Sequence, residues 1–238
     1  MKIELPQGQF FIDAELSPLV LLVAGGRAPD EIWLRQVAQN CPVWAIDRGI
    51  DVCRSAKVIP ERLIGDADSG SVESWQWGEA LHIPVVKHPV DKDLTDLQLA
   101  LQELGRRRPG VSALLTGGMG RRFDHAYSNV FTLLESDASG VRSIGLADES
   151  EAIFLVGGGQ TFRTDLLELP VAISLLPLSA VCENVYSEGV HWPLQGAKLT
   201  MNRPGGICNR LAEGSSSIKV SLGCGLLGVY FCWNESKL

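Results

Sequence analysis

Between Leu19 and about Leu146, short apolar runs alternate with longer stretches whose apolar positions recur every three or four residues. The short runs predict strands at Leu19–Ala24, Val43–Ile46, Arg62–Ile64, His82–Val86, Val111–Thr116 and Ser143–Ala147. The periodic stretches predict helices near Asp30–Gln39, Ile50–Ala56, Ser71–Ala80, Leu94–Arg107 and His125–Leu134. Strands and helices alternating at this spacing imply βαβ crossovers, hence a three-layer, Rossmann-like α/β domain with a mostly parallel sheet. In such sheets ligands bind beyond the carboxyl ends of the strands, which makes that edge the expected functional one.

After Glu149 the pattern changes. Ala152–Val156, Thr161–Asp165, Val171–Pro177, Ala197–Met201, Ser216–Ser221 and Leu226–Cys232 are strand-like runs separated by Gly, Pro and Asn, with no long helical period. The expectation is an α/β nucleotide- and metal-binding domain over 1–149 and an all-β sandwich over 150–238, with a ligand cleft between them. Met1–Phe11 mixes charged residues with Pro and Gly and does not read as a secretion signal; no run approaches membrane-spanning length.

Composition narrows the function. An apolar content of 45% over 238 residues suits a globular protein with a proper core. A net charge of −7 argues against non-specific nucleic-acid binding, which needs a clustered basic surface. Arg106-Arg107-Arg108 is too short to alter that and reads as the cationic end of a helix stopped by Pro109-Gly110. The six cysteines show no CxxC pair and no Cys/His cadence, so free thiols in a reducing, cytoplasmic setting are expected.

Three clusters follow predicted strands: Gly65-Asp66-Ala67-Asp68-Ser69, Asp91-Lys92-Asp93-Leu94-Thr95-Asp96, and Gly117-Gly118-Met119-Gly120-Arg121-Arg122-Phe123-Asp124-His125. Carboxylates at strand ends supply the hard oxygen ligands that Mg²⁺ prefers, and the ion can bridge substrate phosphates. Each acidic cluster taken alone also reads as a helix cap, Asp93 or Thr95 capping the helix that Leu97, Leu101 and Leu104 carry into the core. Their repetition at equivalent strand ends favours a metal–phosphate site. The glycines of the third cluster free backbone N–H groups for an anion, and Arg121 or Arg122 offers a planar fork. Gly25-Gly26-Arg27, after the first strand of the alternation, is another phosphate contact, whereas neither a GxGxxG nor a GxxxxGK[ST] loop is present.

In order and spacing, these clusters with Ala24-Gly25-Gly26-Arg27 and Asn129 closely resemble the thiamin pyrophosphokinase family. The resemblance continues through Leu175-Leu176-Pro177-Leu178, Gly189-Val190-His191-Trp192-Pro193-Leu194 and Gly206-Ile207-Cys208-Asn209. It implies an α/β domain followed by a β-sandwich, a homodimer, and transfer of a diphosphoryl group from Mg-ATP to the thiamin hydroxyl with release of AMP. By the same resemblance Asp66, Asp68, Asp93 and Asp96 hold Mg²⁺, and Asp68, Asp96 and Arg122 are catalytic. Arg27, Asp47, Thr95, Asp124, His125 and Asn129 meet ATP, while Ser69, Trp192, Cys208 and Asn209 meet thiamin.

By the same resemblance Trp192 offers a flat face for the thiazolium or the pyrimidine, by stacking or cation–π attraction; on its residue type alone it reads first as an ordinary sandwich-core tryptophan. Two departures from the family pattern stand out. Ile46-Asp47-Arg48-Gly49 places an arginine where the family commonly has glycine, and Cys208 stands where it usually has serine. Two other readings fit the clusters: a diphosphokinase for another heteroaromatic alcohol such as a hydroxymethylpterin, and a non-catalytic thiamin-binding sensor. Two complete metal-ligand sets favour the enzyme over the sensor.

Overall fold

The structure is a computed structural model that describes residues 1–65, 70–87, 93–203 and 205–237. It begins with an antiparallel hairpin, β1 (Lys2–Leu5) and β2 (Gly8–Ile12), and then enters the strand–helix alternation. Strands β3 (Leu19–Val23), β4 (Val43–Ile46), β5 (Arg62–Gly65), β6 (Val85–Lys87), β7 (Val111–Thr116) and β8 (Val141–Ala147) pair in parallel in the order β8-β7-β3-β4-β5-β6. Between them run α1 (Glu31–Ala38), α2 (Gly49–Ser55), α3 (Val72–Ala80), α4 (Asp96–Arg107) and α5 (Phe123–Leu134). Every residue of β4 and β7 is buried, the signature of parallel strands covered on both faces.

Local chemistry sets the helix starts. Asp30 caps α1 by accepting from the N–H groups of Ile32 (2.8 Å) and Trp33 (3.1 Å), after which Trp33, Leu34 and Val37 turn into the core. Thr95 and Gln98 form a reciprocal capping box on α4, which buries Leu97, Leu101 and Leu104. At the far end of α4, Arg106 and Arg107 pair with Glu103, and Arg108 reaches Glu61. The arginine triplet is thus occupied with local carboxylates.

The chain divides into two compact units, Ser17–Asp148 and the pair of segments Met1–Leu16 and Glu149–Leu238. The expected 1–149 range therefore needs correction at its start, because β2 pairs antiparallel with β10 (Thr161–Leu166), from Phe162↔Ile12 to Leu166↔Gly8. The all-β unit also contains β9 (Glu151–Gly157), β11 (Ala172–Pro177), β12 (Val181–Glu188), β13 (Ala197–Thr200), β14 (Lys219–Ser221) and β15 (Leu226–Cys232). One antiparallel layer runs β1-β2-β10-β14-β12-β13 and the other β11-β15-β9. Phe10 and Phe162 of the first layer pack on Phe154 and Phe231 of the second, with Phe10 and Phe154 stacked at 4.5 Å, forming a sandwich core.

All six cysteines are free, and burial pushes the Cys53 thiol up to about 12. Among the described residues no helix is long and apolar enough to cross a membrane.

Candidate functional site

At the carboxyl edge of the α/β unit, the turn after β3 is zipped onto the loop after β7. Ala24 N–H donates to Thr116 O (2.9 Å), Gly26 N–H to Gly117 O (2.7 Å) and Arg27 N–H to Met119 O (2.7 Å). These bonds hold two glycine-rich segments side by side at the strand ends. Thr116 Oγ1 is buried there and has no hydrogen-bond partner among the described residues. Arg48, the residue that breaks the expected glycine pair, precedes the first residue of α2 without a side-chain capping bond and stays exposed. Gly25 makes room for it, since a Cβ on Gly25 would lie 2.3 Å from the Arg48 Cβ.

Arg27 is the best-fixed cation of this edge. Its Nε and Nη2 donate to Asp148 Oδ2 at 3.2 and 2.6 Å, and the two side chains are only 18% and 3% exposed. Asp47, just past β4, adopts φ +48°, a left-handed conformation that aspartate tolerates better than most residues. Its N–H donates to Ile64 O (2.7 Å), which ties the ends of β4 and β5 together.

Asp66, Asp68 and Ser69 lie outside the described residues, as does Asp91. Of the second cluster, Asp93 is exposed and Asp96, the first residue of α4, is half-buried. Thr95, expected at the nucleotide, has its hydroxyl engaged as the α4 cap, accepting from Gln98 N–H (3.3 Å). Among the described residues no group of three or more His, Cys, Asp or Glu side chains converges to hold a metal. Asp51 of α2, upstream of the first cluster, accepts from the N–H (3.1 Å) and hydroxyl (2.5 Å) of Ser71, the cap of α3. Burial pushes the Asp51 carboxyl up, but hydrogen bonds from Ser71 and Ser74 outweigh it and hold the group below its ordinary value.

At the start of α5, Arg122 forms a two-pronged pair with Asp124, both exposed. The Arg122 hydrogen bonds lower the Asp124 carboxyl below the usual carboxylate range. Asp124 Oδ1 also accepts from the His125 N–H (2.9 Å). Asn129, one turn on, donates its amide to Gly118 O (2.8 Å) and so braces the glycine loop from below its helix.

In the all-β unit, Asn209 organises the aromatic segment. Its Nδ2 donates to Trp192 O (2.8 Å), while its Oδ1 accepts from the N–H groups of Trp192 (3.2 Å) and Arg210 (2.9 Å). Its backbone bridges to Ile173 in both directions at 2.8 Å. Trp192 is 58% exposed, with the His191 ring edge-on at 4.5 Å and the Arg210 guanidinium 5.7 Å from its ring centre. Cys208 is exposed at φ +58°, and its N–H donates to Ser174 Oγ (3.1 Å). The tryptophan is thus presented to solvent on a rigid strap instead of being packed in the sandwich core.

Comparison with known proteins agrees with this division. Residues 34–144 match the family model described as thiamin pyrophosphokinase, catalytic domain, and residues 162–227 match thiamin pyrophosphokinase, vitamin B1 binding domain. The chain belongs to the thiamin pyrophosphokinase family. It is 26% identical over 212 residues to thiamine pyrophosphokinase of Bacillus subtilis, covering 85% of this chain and 94% of that protein. In fold it is similar to the crystal structure of the Bacillus subtilis enzyme (TM-score 0.78, 23% identity, 91% of this chain and 99% of the other). It is likewise similar to thiamin pyrophosphokinase from Candida albicans (TM-score 0.75, 15% identity, 91% and 89%).

The catalytic-domain match runs through Asp47, Asp96, Arg122, Asp124 and Asn129, and the vitamin B1 binding match contains Trp192, Cys208 and Asn209. Arg27 and Asp148 flank the catalytic-domain match on either side. The motif reading missed Asp148 and Asp51. Asp148 carried the signal used elsewhere, a carboxylate directly after an apolar strand, but stood where the domain boundary was expected. Asp51 lies within a helix, and nothing in the local sequence links it to Ser71.

Proposed function

We propose that the protein is a thiamin diphosphokinase that moves the β,γ-diphosphoryl group of Mg-ATP to the thiamin hydroxyl and releases AMP. The observation that carries this is the ordered match of one chain to both the catalytic and the vitamin B1 binding family models. The α/β unit is assigned the nucleotide and metal, and the all-β unit the acceptor. A homodimer is part of the same proposal.

Diphosphoryl transfer needs positioning of an alcohol oxygen in line with the β-phosphorus and neutralisation of charge on the transferring group and on AMP. The donor set of the acidic clusters is all carboxylate oxygen, with no thiolate or imidazole, and it fits a hard cation. Asp66, Asp68, Asp93 and Asp96 would hold Mg²⁺, which when bound neutralises phosphate charge. The N–H groups of Ala24, Gly26 and Arg27 hold the loop after β7 in place, and the backbone N–H groups of that glycine loop are offered to phosphate oxygens. Arg122, pre-oriented by Asp124, adds a bidentate cation, and Asn129 keeps the glycine loop in shape. Asp68 or Asp96 accepts the proton from the acceptor hydroxyl.

On the acceptor side, Trp192 stacks on the heteroaromatic rings and Asn209 acts by holding Trp192 in place. Trp192→Ala is expected to raise the KM for thiamin by about tenfold or more while the KM for ATP stays within about twofold, since stacking contributes to ground and transition state alike. Asn209→Ala follows the same pattern at smaller amplitude, because it releases the segment and leaves the ring intact. Steady-state kinetics with each substrate varied separately checks both. An unchanged thiamin KM in Trp192→Ala removes the stacking role.

Acceptor identity is tested by incubating the protein with Mg-ATP and, separately, thiamin, a hydroxymethylpterin and simpler heteroaromatic alcohols while following AMP release. Thiamin is expected to be consumed and the pterin left untouched. Consumption of the pterin alone would keep the chemistry and replace the substrate.

A further inference from the structure

The Arg27–Asp148 pair lies outside both family-matched segments and has no role in the scheme above beyond Arg27's expected contact with ATP. Asp148 follows β8 and is 3% exposed, so its carboxylate has lost nearly all its water and depends on protein donors. Two donors of Arg27 reach the same oxygen, Oδ2.

Arg27 is fixed at its other end as well. Its N–H is bonded to Met119 O at 2.7 Å. Its stem lies against the glycine loop so closely that a Cβ on Gly120, at φ +72°, would fall 2.6 Å from the Arg27 Cβ. A side chain that ordinarily carries large rotamer entropy is therefore held in one orientation across the ends of β3, β7 and β8 before any nucleotide arrives.

We propose that Asp148 is a positioning residue for the nucleotide: it orients the Arg27 guanidinium and keeps the Gly117–Gly120 loop seated on the turn after β3. This rests on the reading of that edge as the ATP phosphate site. The alternative, a pair that serves stability alone, makes an opposite forecast. Buried ion pairs contribute little net stability compared with well-packed apolar replacements. Removing the Asp148 charge also makes the edge more positive, so electrostatics without positioning predicts tighter binding of the ATP polyanion.

The test is the equilibrium affinity for a non-hydrolysable Mg-ATP analogue, measured by calorimetry on the intact protein, alongside thermal melting and the KM for thiamin. Asp148→Asn keeps the shape and removes the charge. It is expected to weaken nucleotide binding by about tenfold, the scale of one charge-assisted hydrogen bond, with the thiamin KM unchanged.

Asp148→Glu keeps the charge but displaces the guanidinium by one methylene. The same weakening is expected, and this variant carries the test should Asp148→Asn not fold. The double variant Arg27→Met with Asp148→Leu is expected to recover the melting temperature without recovering nucleotide affinity. Equal or tighter nucleotide binding in Asp148→Asn, unchanged binding in Asp148→Glu, or affinity that returns with melting temperature in the double variant overturns the inference. A wild-type protein that binds no Mg-ATP analogue at all contradicts the proposed function instead.

Discussion

Asp96→Asn is expected to lower turnover at least about a hundredfold at saturating Mg-ATP and thiamin, the scale seen when an electrostatic group serving the transition state is removed. The fold should be nearly indifferent. Asp96 is the first residue of α4, where its charge gains about 0.3–1 kcal/mol from the helix dipole, while the Thr95–Gln98 capping box that starts the helix stays in place. A loss of that size moves the melting temperature of a chain of this length by no more than about 4 °C. Asp66→Asn should behave alike. Turnover within about tenfold of wild type in Asp96→Asn would take this residue out of the metal and proton-transfer roles.

Gly49→Ala is expected to be strongly damaging for so small a substitution. Gly49 opens α2 directly after the Asp47–Arg48 turn, and a Cβ there would stand 1.8 Å from Val23 O and 2.7 Å from Val23 C. Both obstacles are backbone at the end of β3, so relief requires moving the strand end that carries the Gly25-Gly26 turn. Overpacking of this kind costs about 3 kcal/mol, or about 6–12 °C in melting temperature, and nucleotide affinity should fall with it. Gly78→Ala provides the opposite sign within the same unit. It sits inside α3 with its nearest prospective contact, Ile50 Cδ1, at 3.8 Å, so the methyl fits and the helix gains about 0.5–1 kcal/mol. Thermal melts of the two variants side by side check both; Gly49→Ala melting like wild type would mean that the strand end is not tightly held.

How much was legible in the sequence differs between the two units. In the α/β unit, buried parallel strands read as continuous apolar runs, and β4 and β7 coincide with the ranges expected from the pattern, Val43–Ile46 and Val111–Thr116. The amino-terminal hairpin was opaque because its role is non-local. Gly8–Ile12 has an ordinary strand composition, but only its pairing with Thr161–Leu166, far along the chain, assigns it to the all-β unit. β12 was missed because Cys182-Glu183-Asn184 interrupts its alternation; Asn184 has φ +53° and the register with β13 shifts there.

At the site, residue types announced the chemistry but not which side chains act on ligand and which on their neighbours. Thr95, Asn129 and Asn209 were all expected at ligands, and each spends its side-chain hydrogen bonds on a helix cap, a glycine loop or the Trp192 strap. Such assignments depend on distances across the fold that spacing along the chain does not encode.

Attack at the β-phosphorus is tested by following the label from ATP carrying radioactive phosphorus at the β position through a single turnover with thiamin and Mg²⁺. The label is expected in thiamin diphosphate, with an equal amount of unlabelled AMP. Label retained in ADP, with the acceptor carrying a single unlabelled phosphate, would contradict it.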